Sequence, residues 1–211
     1  MDVAPNCPRC GGPVTELGEQ IASAPAWHCH RHGAVFPLHT GYSVAHDGLG
    51  ELIRGAAVPV WLPWPLPVGW LVTGFAGAGD DHNGSRACVV ALSGPNPVGG
   101  PGDMLLISEE PGVGLGARFA GIPGPDPGDG FALGTPHAFV SFGHHEFPLW
   151  HVAAPELAAF AGEVLGNWLW IVLWPDTAGM LLVEALSLRD LRDPGQDLDL
   201  PFGPRTTRLP G

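Results

Sequence analysis

Two short stretches, "CPRCGG" at residues 7–12 and "CHRHG" at residues 29–33, constrain this chain more than any other feature. Read together they give C-x2-C-x18-C-x2-H, the spacing of two tight turns that must face one another if their side chains share one ion. Zinc takes four soft or borderline ligands in a tetrahedron, and Cys7, Cys10, Cys29 and His32 supply them two to a turn. Pro8 presets the first turn, and Gly11 permits the positive φ that lets backbone N–H groups aim at the thiolates. Gly33 occupies the same place after His32, and this parallel selects His32 as the fourth ligand. His28, next to Cys29 in an extended segment, points the other way, and His30 faces solvent. Four protein ligands leave no open position, so the Zn2+ expected here is structural. Three thiolates and a neutral imidazole around Zn2+ leave a net charge of about −1, which Arg9 and Arg31 in the turns are placed to offset.

Composition narrows what the remainder does. Of 211 residues, 45% are apolar and 14% charged, enough to bury a core and too little charge for a disordered chain. Nine basic against twenty-one acidic residues give −12, which repels phosphate backbones and anionic lipid. Residues 1–40 repeat that balance, with Asp2, Glu16 and Glu19 against Arg9 and Arg31, so no nucleic-acid partner is expected. All nine basic residues are arginine, which excludes lysine chemistry. No signal peptide is visible, and cysteines in metal-ligand spacing fit a reducing cytoplasm. The uncharged run 55–79 is long enough for a bilayer, but Pro59, Pro63, Pro65 and Pro67 break it, and no membrane span is predicted.

Behind the ribbon module (1–39) and a connector (40–56) carrying a short helix around "GLGELIRGA", residues 57–195 read as a β-rich body, with an irregular tail at 196–211. "GWLVTGFAG" and "SRACVVALSG" flank the turn "AGDDHNG" as one hairpin; "WLWIVLW" and "MLLVEALSL" flank "PDTAG" as another. Leu169, Ile171 and Leu173 alternate with Trp168, Trp170 and Trp174, so this strand is apolar on both faces and central. "DMLLISEE" is a further strand, and "PELAAFAGEVLG" (155–166) is the best helix candidate, Pro155 at its start and Gly166 near its end. The class is α+β, β-dominated and antiparallel, with one or two short helices behind an N-terminal zinc ribbon.

Candidate chemistry in the body is thin. "VPVWLPWPLPVGW" sets out Trp61, Trp64 and Trp70 either as an aromatic wall for a ligand or partner, or as an irregular segment crossing the core. "GVGLGA" (112–117) matches a dinucleotide fingerprint, but the glycines and prolines after it argue against the helix that fingerprint needs. Arg118 either binds an anion or pairs with Asp126. Asp80 and Asp81, in a turn that favours Asp for backbone reasons, together with the histidines from His137 to His151, are the residues from which a second, open metal site would be built. Cys88 sits in an apolar strand and reads as core.

The runs "CPRCGG", "WHCHRHGAV", "VPVWLPWPLPVGW", "TGFAGAGDD", "GLGARFAGIPGPDPG", "PLWHV" and "LWIVLWPDTAGMLLVEALSLRDLRD" together resemble a family of small actinobacterial proteins with an N-terminal zinc-ribbon-like motif and no established activity. Some of its members carry an automatic phosphate acetyltransferase label, although this sequence contains no acyl or phosphate site. The reading from the residues is a zinc-binding, non-enzymatic module that takes a protein partner or small ligand. The alternative is a metal-dependent hydrolase or acyl- or phosphoryl-transfer enzyme using Asp80, Asp81 and His137–His151.

Overall fold

The computed structural model describes residues 4–17, 25–80, 82–152, 156–193 and 199–210. Strands β1 (Val14–Glu16), β2 (Trp27–Cys29) and β3 (Gly33–Val35) form a small antiparallel sheet carrying the two turns. Then follow β4 (Leu38–His39), α1 (His46–Gly55), β5 (Trp61–Pro63), β6 (Leu71–Asp80), β7 (Gly84–Pro95), β8 (Pro101–Glu109) and α2 (Leu115–Ala120). The chain continues through β9 (Ala138–Phe142), β10 (His145–Val152), β11 (Ala158–Val164), β12 (Asn167–Trp174), a 3-10 helix (Asp176–Leu182) and β13 (Leu186–Asp190). The strands from β4 onward make a ten-stranded sheet in the order β4-β6-β7-β8-β12-β11-β10-β9-β13-β5. Every pairing in it is antiparallel except β9 with β13, so the antiparallel expectation holds but for one pair.

The two-faced strand is central, as its alternation demanded. On one face Leu169, Ile171 and Leu173 join Val90, Leu92, Leu106, Trp61 and Leu62 in the larger core. On the other, Trp170 and Val172 join an alanine-rich surface of Ala76, Ala87, Ala91, Ala159 and Ala161, onto which Leu115, Ala117 and Ala120 of α2 pack. A glycine on the helix lets it come close to the sheet: a Cβ at Gly116 would run into the Trp170 indole. The far-edge strand β5 packs back against β7 and β8, so the sheet curls around the larger core. Short β4 leaves the start of β6 unpaired, and the C-terminal residues fill the gap. The Val72 N–H donates to Pro201 O at 2.9 Å, the Gly203 N–H to Val72 O at 2.8 Å, and Leu200 and Leu209 are buried.

Several expectations are corrected. Residues 158–164 are strand β11, not helix; Pro155 lies outside the described residues. Burial on both sheet faces outweighs the helix propensity of this Ala-rich run. Leu165 (φ 54°) and Gly166 (φ 78°) form the two-residue turn of a β11–β12 hairpin, with Val164 opposite Asn167, rather than a helix C-cap. The second predicted hairpin does not form: "MLL" lies in the 3-10 helix, and β13 pairs with β9 and β5 instead of β12. A helix does follow "GVG", although it is only six residues long. No helix among the described residues is long and apolar enough to cross a membrane. The 195/196 boundary, like Asp2 and Glu19, lies outside the described residues.

Candidate metal centre

The first turn is built as its sequence dictates. The Gly11 N–H donates to Cys7 O at 2.8 Å and the Cys7 N–H to Gly12 O at 2.8 Å, while Gly11 takes φ 72°. Gly33 takes φ 70° after the second turn, where the His32 N–H donates to Cys29 O at 3.3 Å. Cys29 lies on β2 with Cys7 close behind it, both buried. Their neighbours follow the alternation: His28 and His30 are exposed.

One ligand atom from each of Cys7, Cys10, Cys29 and His32 falls within 4.8 Å of all the others. Tetrahedral zinc, with Zn–S about 2.3 Å and Zn–N about 2.0–2.1 Å, implies edges of about 3.8 Å between sulfurs and about 3.6 Å from sulfur to nitrogen. The Cys10–Cys29 Sγ separation is 3.8 Å, and His32 Nδ1 lies 3.5 Å from Cys7 Sγ and 3.7 Å from Cys29 Sγ. The donor set and its edges therefore fit a structural Zn2+, held by these four side chains through the imidazole Nδ1. Burial raises the Cys7 thiol against the backbone N–H groups of Arg9 and Cys10 that lower it. Burial also opposes ionisation of Cys29, but the Arg31 amide and the His32 side chain outweigh it and hold this thiol below its ordinary value. The turn amides thus favour thiolates, the form a metal needs.

Two arginines clasp this centre to the body. Arg9, in the first turn, donates through Nε to Val113 O at 3.2 Å and through Nη2 to Gly112 O. In the reverse direction, Arg118 on α2 donates through Nη1 to Cys7 O at 3.3 Å, and its guanidinium lies against Gly11. Burial lowers the Arg118 pKa while the Cys10 and Cys7 sulfurs raise it, and Arg118 remains a cation facing the thiols. Arg118 is thus neither an open anion site nor the partner of Asp126, which instead accepts from the Gly112 N–H at 2.8 Å and Trp168 Nε1 at 2.9 Å. Arg31 is exposed, so the charge-offsetting role expected of it falls to Arg118. The loop carrying these contacts is fixed from below by Glu109, fully buried at the end of β8. Its carboxyl accepts from the Leu115 N–H at 2.7 Å and the Gly116 N–H at 3.1 Å. The amides that would hold a pyrophosphate in a dinucleotide fingerprint are occupied by the protein's own carboxyl group. Nothing local in the sequence links Arg9 to Arg118, but a carboxylate closing an apolar strand before "PGVGLG" is a signal that could have revealed Glu109.

The other predicted site residues do not assemble into one site, although His137 and His151 lie together, the His151 N–H donating to His137 Nδ1 at 3.2 Å. Trp61 and Trp70 are each 2% exposed, so neither offers a surface to a partner; Trp64 is half-buried against the larger core. The core-crossing alternative describes this segment. Asp80 Oδ1 accepts from the backbone N–H groups of His82 (3.1 Å) and Asn83 (2.8 Å), closing the β6–β7 turn, and Asp81 lies outside the described residues. The histidines of 137–151 are exposed on and beside β10, five strand spacings from β6, or about 24 Å measured along the sheet. Among the described residues the Cys3His set is the one cluster with metal-ligand geometry. Cys88 is buried in β7, and burial pushes its thiol up to about 12, as suits inert core.

Fold and site define a zinc-ribbon-type Cys3His module clasped to a β-dominated body. The sequence matches, over residues 1–209, the model of a family described as a family of unknown function (DUF6758), and the chain belongs to that family. No curated protein and no solved structure matches the chain.

Proposed function

We propose that this protein is a non-enzymatic binding module of the cytoplasm, in which one structural zinc ion fixes residues 1–39 against a body that takes a protein partner or small ligand. The observation that carries this reading is the closed Cys3His set joined to α2 by reciprocal arginine contacts. Four protein ligands leave the metal no position for substrate. What the ion would supply is a cross-link between the two turns of a module too short to bury a core of its own. Four free cysteines are compatible with a reducing compartment. The test is metal content per chain by mass spectrometry on the native protein and Cys7→Ser. The expected result is one zinc, lost in the variant. A second metal that survives the substitution would put an enzyme back in front.

A further inference from the structure

Beside the clasp lies a groove of about 640 Å3 lined by Pro125, Asp126, Asp129, Phe131, Leu133 and Trp168, among others. We propose that this groove takes the cationic side chain, arginine or lysine, of a basic partner segment. Phe131 and Trp168 give it an aromatic floor, and Trp150, outside the lining, packs against Phe131. Trp168 on β12 and Trp150 on β10 stand on one sheet face, two strands apart. Phe131 lies between them, edge to face with both, its ring centroid 5.3 Å from Trp168 and 5.7 Å from Trp150. Such faces attract a cation through the ring quadrupole.

The charged side chains that line the groove, Asp126 and Asp129, are both acidic. Asp126 spends Oδ1 on the Gly112 N–H and Trp168 Nε1, which aims the carboxylate, while its Oδ2 has no hydrogen-bond partner among the described residues. Asp129 is exposed on the rim, and Glu163, exposed on β11, is the cross-strand partner of Trp168 on the same face. The bordering arginines, Arg9 and Arg118, are committed to carbonyls of the clasp. An anionic ligand would be repelled here, and a cation meets both rings and carboxylates. The groove is larger than one side chain and open to solvent, which suits an extended segment over an enclosed free cation. The proposal rests on the binding role given above and adds its site and the chemistry of its partner. Both depend on the backbone of Gly112, whose carbonyl receives Arg9 and whose N–H orients Asp126.

The test uses the zinc-loaded full chain, titrated by calorimetry with a short glycine–arginine peptide, the same peptide with citrulline for arginine, and tetramethylammonium. Saturable binding of the arginine peptide is expected, weakened at least tenfold by citrulline. Phe131→Leu and Asp126→Asn should each weaken it about fivefold, roughly the worth of one exposed cation–π contact. Asp126→Asn retains the Oδ1 acceptor, and circular dichroism reads folding in both variants. No binding, equal binding of the citrulline peptide, or variants that bind as the native protein does would overturn the proposal. Binding of tetramethylammonium alone would overturn the peptide occupant in favour of a free cation. Zinc measured on the same samples separates the two readings: one zinc without peptide binding sinks the groove and leaves the metal centre standing.

Discussion

Glu109 offers the sharpest test of how the clasp is supported. Its carboxyl is 0% exposed, and burial raises its pKa from 4.5 to about 7, against the lowering effect of the Leu115 and Gly116 amides. The folded protein therefore keeps this proton up to about pH 7, while the unfolded chain releases it near pH 4.5. The folded state binds more protons between those values, so this group's contribution to stability is fully present below pH 4.5 and is lost as pH rises through 7. At about 1.4 kcal/mol per pH unit, the loss between pH 5 and pH 8 is about 2–3 kcal/mol. Glu109→Gln removes the titration and keeps one acceptor, although its amide NH2 faces a backbone donor and costs about 1–3 kcal/mol at acid pH. Urea unfolding of both zinc-saturated proteins at the two pH values isolates the effect, because every other titrating group is shared. The stability lead of the native protein should shrink by about 2–3 kcal/mol from pH 5 to pH 8. A lead that stays constant or grows with pH would refute the reasoning.

Other substitutions probe the same assembly. Arg118→Gln should leave zinc content unchanged while exposing residues 4–17 and 25–39 to protease, since one charge-assisted contact of about 1.5–3 kcal/mol is gone; loss of zinc instead would make Arg118 part of the centre. Gly116→Ala sets a methyl against buried Trp170 and should cost about 1–3 kcal/mol in unfolding free energy, whereas a neutral result would mean that α2 sits farther from β12. Gly33→Ala meets open space and should cost only about 1 kcal/mol for its positive φ, while Gly11→Ala adds a collision with the Arg118 guanidinium 2.5 Å away and should cost more; denaturation midpoints rank the pair.

The metal ligands were legible in the sequence because their signal is local: two residues between ligands and a glycine after each turn fix the geometry whatever surrounds it. The central strand was legible for a similar reason, its two apolar faces being written in alternation. Residues that act across the chain were not. Arg9 reaches the loop before α2, and Arg118 the turn that holds Cys7, only because α2 lies over β8 and β12 beside that turn. Alanines misled the reading of 158–164. Ala159 and Ala161 suit a helix in isolation, yet both are buried in the core on the sheet face that carries α2. The prolines of the Trp/Pro run marked it as largely irregular, although Trp61–Pro63 form the edge strand β5, and proline content does not reveal which way an indole points. Trp61 and Trp70 went inward, while the aromatic surface formed at Phe131, Trp150 and Trp168, on elements distant in sequence.

The central claim is that the metal centre and the α2 loop are one unit. Hydrogen exchange with and without a zinc chelator tests it most directly. Chelation should release protection in residues 5–17, 25–39 and 112–118 together, leaving β7, β8 and β12 protected. Loss confined to the N-terminal residues, with 112–118 unchanged, would contradict the clasp.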